Sequence, residues 1–223
     1  MVTTVPRSDP YEDQVERYDR WFEKNRAAYL SELAAVKSSL PRFHRGLEVG
    51  VGTGRFSAPL GVTFGLDPSV AMIEAARRRG VGCVQGVAER LPFRDGAFDL
   101  VLMVTVDFLL SDRAAAFGEA ARVLAPGGAV VVGFIDRESP VGRRYQREKG
   151  EREGESDGGS GFYGEARFLA AEEMAALLED ARFTDLAFVQ TLSCDPEAMT
   201  EVEAPRPGWG RGSFVVVRGK KGD

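Results

Sequence analysis

The ten residues Leu47-Glu48-Val49-Gly50-Val51-Gly52-Thr53-Gly54-Arg55-Phe56 leave this chain little choice of architecture. An apolar run gives way to glycine at every second position, and a segment able to start a helix follows. This reads as the end of a buried strand, a turn free to take positive φ, and a helix start with unpaired N–H groups. A ligand approaches such a turn where a Cβ would collide, so Gly50, Gly52 and Gly54 are candidate ligand-facing residues. Glu48, just ahead of the glycines, is an unwelcome neighbour for a pyrophosphate and suits a ligand with a positive charge. The dinucleotide pattern G-x-G-x-x-G would need glycine at 55, where Arg55 stands.

The rest of the chain supplies an alternating α/β pattern. Apolar residues at three- and four-residue spacing from about Asp13 to Leu40 (Val15, Tyr18, Trp21, Phe22, Tyr29, Leu33, Val36) predict one or two helices, ended by Pro41. The first strand is Gly46 to Val49. A short helix follows the glycine turn, then a second strand over 62–66 ending in Asp67. An acidic residue about 20 positions after the turn is placed to accept hydrogen bonds from both ribose hydroxyls of a nucleoside. Ser69 serves as cap for a helix over Val70–Arg79, which leaves Asp67 free for a ligand. Gly80 ends that helix, and 81–85 is a short third strand. Phe98–Val104 is apolar apart from Asp99 and suits a central strand buried on both faces. A helix capped by Ser111 or Asp112, a turn at 125–128, the strand Ala129–Ile135, a charged helix over Arg143–Lys149, a helix over Ala170–Ala181 and strands Leu186–Leu192 and Ser213–Arg218 complete the reading. His44, the sole histidine, precedes the first strand at the sheet end away from ligands and reads as a surface or packing residue.

Five segments resemble one family. Glu48-x-Gly50-x-Gly52-x-Gly54 is similar to the first motif of the class I S-adenosylmethionine-dependent methyltransferases, and the chain looks like the small single-domain subgroup that includes ubiquinone- and menaquinone-biosynthesis enzymes. Asp67-Pro68-Ser69-Val70-Ala71-Met72, Gly86-Val87-Ala88-Glu89-Arg90-Leu91-Pro92-Phe93, Phe98-Asp99-Leu100-Val101 and Val123-Leu124-Ala125-Pro126-Gly127-Gly128 match further motifs, over a span from Tyr18 to Val217. The resemblance implies an α/β fold: a doubly wound, Rossmann-like, seven-stranded, mostly parallel sheet with an antiparallel last strand and helices on both faces. It implies an arm and helical lid over 1–40 and a methyltransferase domain over 41–223 with a variable insertion at about 136–165, one domain overall. The cofactor would be S-adenosylmethionine, leaving as S-adenosylhomocysteine. Glu48 would assist its amino-acid portion and Asp67 its ribose, with Pro68 beside it. Met72, the Ala88 N–H and Glu89 would serve the adenine side, and Val104 the donor at its strand end. Val87 departs from the pattern, since many members carry aspartate there for the adenine amino group, and valine cannot accept that bond.

Asp107 lies beyond the central strand, where methyl donor and acceptor would meet, and can either steer or deprotonate an acceptor or cap a turn. Tyr18 and Tyr163 are the other candidates for catalysis. The segment Gly150–Gly161 is too polar to pack a core, and Trp209 either rims the pocket or covers a sheet edge.

Composition narrows the partners. With 223 residues, 43% apolar and a net charge of −5, the chain is the size of one α/β domain and has no global basic field for nucleic acid. Cys83 and Cys194 form no framework, and no His/Asp/Glu ligand cluster suggests a metal. No apolar run approaches the roughly 18 residues of a membrane span, and the first residues do not read as a signal peptide. A cytoplasmic monomer or homodimer with a small-molecule acceptor is expected, with no nucleic-acid partner and no integral membrane contact. The expected activity is methyl transfer by direct displacement, which needs no metal or triad. The alternatives are an S-adenosylmethionine- or S-adenosylhomocysteine-binding protein without turnover, and an NAD(P)-dependent oxidoreductase.

Overall fold

A computed structural model describes residues 15–152 and 167–222, with side chains described through 147 and again from 167. The polar arm, Tyr11, Tyr163 and most of the glycine-rich segment lie outside the described residues. Two helices lead, α1 (Val15–Lys24) and α2 (Arg26–Ser39). Strand β1 (Gly46–Val49), short helix α3 (Ser57–Leu60), β2 (Phe64–Asp67), α4 (Val70–Arg78), β3 (Gly82–Gln85) and β4 (Phe98–Val104) follow. After a 3₁₀ turn at Asp107–Leu109 come α5 (Arg113–Val123), β5 (Leu124–Ile135), α6 (Pro140–Arg152), α7 (Ala171–Asp180), β6 (Phe183–Thr191), the two-residue β7 (Arg206–Pro207) and β8 (Phe214–Lys221).

The strands form one sheet in the order β3-β2-β1-β4-β5-β8-β6-β7. The first five are parallel, and β8 runs antiparallel between β5 and β6. This is the doubly wound, mostly parallel sheet expected from the sequence, with β7 as an eighth strand that the sequence reading did not anticipate. Its two residues pair Val189 and Gln190 of β6, too short a run for any periodicity to announce.

Side-chain alternation builds two cores from the same strands. Val101 and Met103 of β4, Val130, Val132 and Phe134 of β5, and Val215 and Val217 of β8 face α5 and α7, whose Phe117, Ala120, Met174 and Leu178 are fully buried. Leu100, Leu102 and Val104, Val131 and Ile135, and Phe214 and Val216 face the other way. They meet Phe22 of α1 and Ala28, Tyr29, Ala35 and Val36 of α2. Truncating a side chain as enclosed as Phe117 to alanine costs about 3–5 kcal/mol.

Caps set most boundaries where expected. The Ser69 hydroxyl accepts from the Met72 N–H at 3.3 Å, and the Asp112 carboxylate accepts from the Ala115 N–H at 3.0 Å. Several boundaries differ from the sequence reading; β2 starts at Phe64, and β8 runs from Phe214 to Lys221. Helix α6 starts at Pro140 because the Ser139 hydroxyl accepts from the Gly142 N–H, and it runs past the expected Lys149 to Arg152. The turn at 125–128 is absorbed into β5 as an irregularity opposite Phe98 and Leu100, so the strand starts at Leu124. Strand β6 begins three residues early, its twist taken up near Asp185 at φ +53°.

Candidate functional site

The carboxyl ends of β1, β2 and β4 converge on the glycine turn. Gly50, Gly52 and Gly54 all take positive φ, and each meets a different part of the protein. A Cβ on Gly50 would lie 2.5 Å from a methyl carbon of Val106, beyond β4. One on Gly52 would meet the Tyr18 hydroxyl of α1 at 3.2 Å, and one on Gly54 would press on Ala76 of α4 at 3.3 Å. The glycines are therefore required by packing as well as by any ligand.

Two buried carboxyls flank the turn. Asp67, 8% exposed, accepts from the Gly52 N–H on one oxygen and from the Ser69 N–H on the other, both at 2.9 Å. The sequence reading left Asp67 free because Ser69 caps the helix. Both conditions hold only in part, since Ser69 does cap the helix and its own amide is also held by Asp67. Each carboxylate oxygen keeps a second lone pair for a ligand hydroxyl. Burial pushes the Asp67 pKa up, and the two backbone hydrogen bonds pull it back. Glu48 is 2% exposed and accepts a hydrogen bond from the Ser57 hydroxyl of α3. Desolvation pushes its pKa up to about 8, against the Ser57 bonds and with the help of the Asp67 charge. A carboxyl in that state gains a favourable charge partner when a cation arrives.

The remaining sequence-predicted residues take varied places. Pro68 is half-buried, its carbonyl accepting from the Gln85 side chain at 2.9 Å. Met72 is fully enclosed on α4, and Ala88 is packed with Leu66 and Leu91. Glu89 accepts from the amides of Ser111 at 2.8 Å and Asp112 at 3.3 Å, tying its turn to the start of α5. The Val104 side chain enters the apolar cluster beneath α1 and α2. Trp209 packs at a tilt against Phe188 of β6, 4.7 Å between centroids, and donates to Glu172. It therefore covers the far strands of the sheet, the second of its two readings. His44 is exposed, beside Asp99 at the opposite end of the sheet from the glycine turn.

Sequence reading missed the clamp that ties α1 to the turn. Asp19 accepts from the Thr53 hydroxyl at 2.7 Å, from Arg55 Nε at 2.9 Å and from Arg79 at 2.6 Å. Arg79 also donates to the Thr53 carbonyl at 2.8 Å, and the Tyr29 hydroxyl donates to the Arg55 carbonyl at 2.6 Å. Arg55, noted in the sequence only as the residue that spoils a dinucleotide pattern, is thus an anchor for the N-terminal helices. Desolvation raises the Asp19 pKa, but the hydrogen bonds from Arg55, Arg79 and Thr53 outweigh it and hold the carboxyl below its usual value.

Beyond β4 the backbone is strained. Thr105 takes φ +50°, a costly conformation for a β-branched residue, and its N–H donates to the Gly133 carbonyl at 2.7 Å. The turn that follows sets Val106 over Gly50, encloses Asp107 and sends Phe108 into ring contact with Phe168 at 5.2 Å. Phe168 in turn stacks with Tyr145 of α6 at 5.7 Å.

Comparison with known proteins agrees with this geometry. A family model described as a methyltransferase domain matches residues 47–132. An uncharacterised protein of Methanocaldococcus jannaschii is 36% identical over 211 residues, covering 95% of this chain and 98% of that protein. The demethylmenaquinone methyltransferase of Corynebacterium kroppenstedtii is 40% identical over 86 residues, only 37% of this chain and 36% of that protein. A crystal structure from Thermotoga maritima, described as an S-adenosylmethionine-dependent methyltransferase and possible histamine N-methyltransferase, superposes with a TM-score of 0.88 at 45% identity. It covers 95% of this chain and 97% of that one. Glycine turn, flanking carboxyls, sheet order and these likenesses coincide: the chain belongs to the class I S-adenosylmethionine-dependent methyltransferases.

Proposed function

We propose that this methyltransferase moves a methyl group from S-adenosylmethionine to a small-molecule acceptor by direct displacement. The observation that carries the reading is the Gly52 N–H held by Asp67, which joins the carboxyl end of β2 to the glycine turn with Glu48 buried behind it. Asp67 has lone pairs left for the ribose hydroxyls, and Glu48 offers a desolvated carboxyl to the ammonium of the amino-acid portion. Met72 and the amide of Ala88 serve the adenine side, Pro68 and Glu89 hold the turns around them, and Val104 closes the apolar floor at the end of β4. S-adenosylmethionine supplies a methyl carbon on a sulfonium, which a nucleophile displaces while the electrons of the broken C–S bond stay on sulfur.

The chain's own part is alignment and exclusion of water. Residues 15–39 act as a cover. Tyr18 lies against Gly52, and the Asp19 clamp holds α1 to the turn. A cover made of two helices of the same chain suits a small acceptor. The Thermotoga protein's description names a small amine, which supports the same class of acceptor.

Parallel calorimetric titration with S-adenosylmethionine, S-adenosylhomocysteine and NADH tests the donor site. Micromolar binding of the first two and none of the third is expected. Binding followed by no turnover over a broad acceptor panel would instead support a binding protein, and binding of NADH alone would overturn the assignment.

A further inference from the structure

Resting on that reading, we infer that the acceptor is an amine and that Asp107 receives its N–H: Asp107 stands between Val106, which sits over Gly50, and Phe108, the first of the row of rings Phe108, Phe168 and Tyr145, and neither of its oxygens has a hydrogen-bond partner among the described residues.

Asp107 is 1% exposed, so bulk water does not reach it. A buried, unpaired carboxylate is among the costliest arrangements in a protein, and native structures keep such groups chiefly where a ligand completes them. The neighbouring cation Arg113 acts on the carboxylate through its charge but gives it no hydrogen bond. Arg113 spends its Nε on the Asp107 backbone carbonyl at 3.0 Å, and another of its nitrogens donates to the Arg167 carbonyl. The strained Thr105 fixes the turn that encloses Asp107, and strain of this kind is kept where a side chain must be held in place.

The chemistry of the surroundings selects an amine over an alcohol, a thiol or a carboxylate. An ammonium brings both charge and several donors to two empty acceptor oxygens, and aromatic faces attract the same charge. The far end of the ring row already attracts one cation, the Arg144 guanidinium, 5.2 Å from the Tyr145 ring centre. Glu32 of α2 is buried nearby, and desolvation pushes its pKa up to about 8, so it is largely neutral near pH 7. A carboxylate acceptor would meet the buried acid Asp107.

Asp107 also has the proton chemistry an amine needs. A protonated amine has no lone pair to attack with. The ammonium N–H gives its proton to an Asp107 oxygen, the N–H bond electrons remain on nitrogen as the lone pair, and the carboxylate becomes the neutral acid. Desolvation pushes the Asp107 pKa up to about 7, against the charge of Arg113 and the nearby amides of Asp107 and Phe108, which matches a base working near neutrality.

The test is calorimetric titration of the full chain, saturated with S-adenosylhomocysteine, with 2-phenylethylamine and with its neutral isostere 2-phenylethanol. The amine is expected to bind at least tenfold more tightly than the alcohol. Asp107→Asn should remove that preference while leaving S-adenosylhomocysteine affinity within twofold, which also shows that the variant is folded. Turnover with S-adenosylmethionine should yield the N-methylated amine and fall at least 100-fold in Asp107→Asn. Equal binding of amine and alcohol, an amine preference that survives Asp107→Asn, or no amine binding at millimolar concentration would overturn the inference while the donor site stands. Failure of S-adenosylhomocysteine itself to bind would remove the donor reading and this inference together.

Discussion

Asp67 ends β2 and Asp107 lies three residues beyond β4, the two strands that flank β1, and both are buried, yet they are treated oppositely. Asp67 holds two backbone amides and is satisfied before any ligand arrives. Asp107 has no such hydrogen-bond partner on either oxygen and meets chiefly the charge of Arg113. The first belongs to a side of the site built by short-range geometry: a turn, a cap and a strand end within 20 residues. The second belongs to a side built from chain segments far apart, with Phe108, Tyr145 and Phe168 meeting around a strained turn. A satisfied carboxylate fixes the shape of a binding site, whereas an unsatisfied one stores a demand that a ligand can meet.

The contrast breaks most visibly at the glycine turn. Gly52→Val should abolish S-adenosylhomocysteine binding in calorimetry, since it strains φ +50° and crowds Tyr18, while thermal unfolding drops by only a few degrees. Normal binding would show that the turn does not face the donor. Asp67→Ala should follow, weakening the same ligand about 10- to 100-fold, the worth of one or two charge-assisted hydrogen bonds. Asp67→Asn should fall between it and the wild type.

Glu48 gives the donor side a pH signature. Its pKa of about 8 means that a cationic ligand must find or create the ionised form. S-adenosylmethionine affinity should therefore rise about tenfold per pH unit up to about 8 and then level off. Isothermal titration at several pH values checks this, and Glu48→Gln should flatten the profile. The smallest effect concerns the clamp. Asp19 has a lowered pKa, so its contribution is present above the unfolded value and is lost as pH falls through the folded one. Asp19→Asn should cost about 1 kcal/mol near neutrality and remove part of the acid-side slope below about pH 4 in chemical denaturation.

Much of the donor side was legible because its grammar is local. Glycine spacing, an acidic residue one strand-helix-strand unit on, and a serine cap lie within reach of pattern reading, and β1 and β4 were bounded to the residue. The clamp was not legible. Asp19 meets partners 34 to 60 positions away, and nothing in an arginine's neighbourhood says which carboxylate it will find. Glu32 did carry a signal that went unused: it stands at helical spacing among Ala28, Tyr29, Ala35 and Val36, on the face that turns inward. A charged residue inside an apolar stripe is the pattern to look for, since its burial has to be compensated or exploited. Asp107 was singled out from its position after β4, but its lack of partners is a property of the fold alone.

The insertion of β8 between β5 and β6 has a consequence for how the chain comes into being. Until residues 214–221 emerge, β5 and β6 each present an unpaired edge, and neither can pair through the other because β8 is the strand that joins them. The parallel half, β3 to β5, can assemble while synthesis continues, but the barrier to closing the sheet waits on a contact between segments about 80 residues apart in the chain, with the slow kinetics such distant pairings bring. A chain stopped before Phe214 would keep its glycine turn and still expose two sticky edges, so the species most open to misassembly is the nascent protein shortly before β8 arrives.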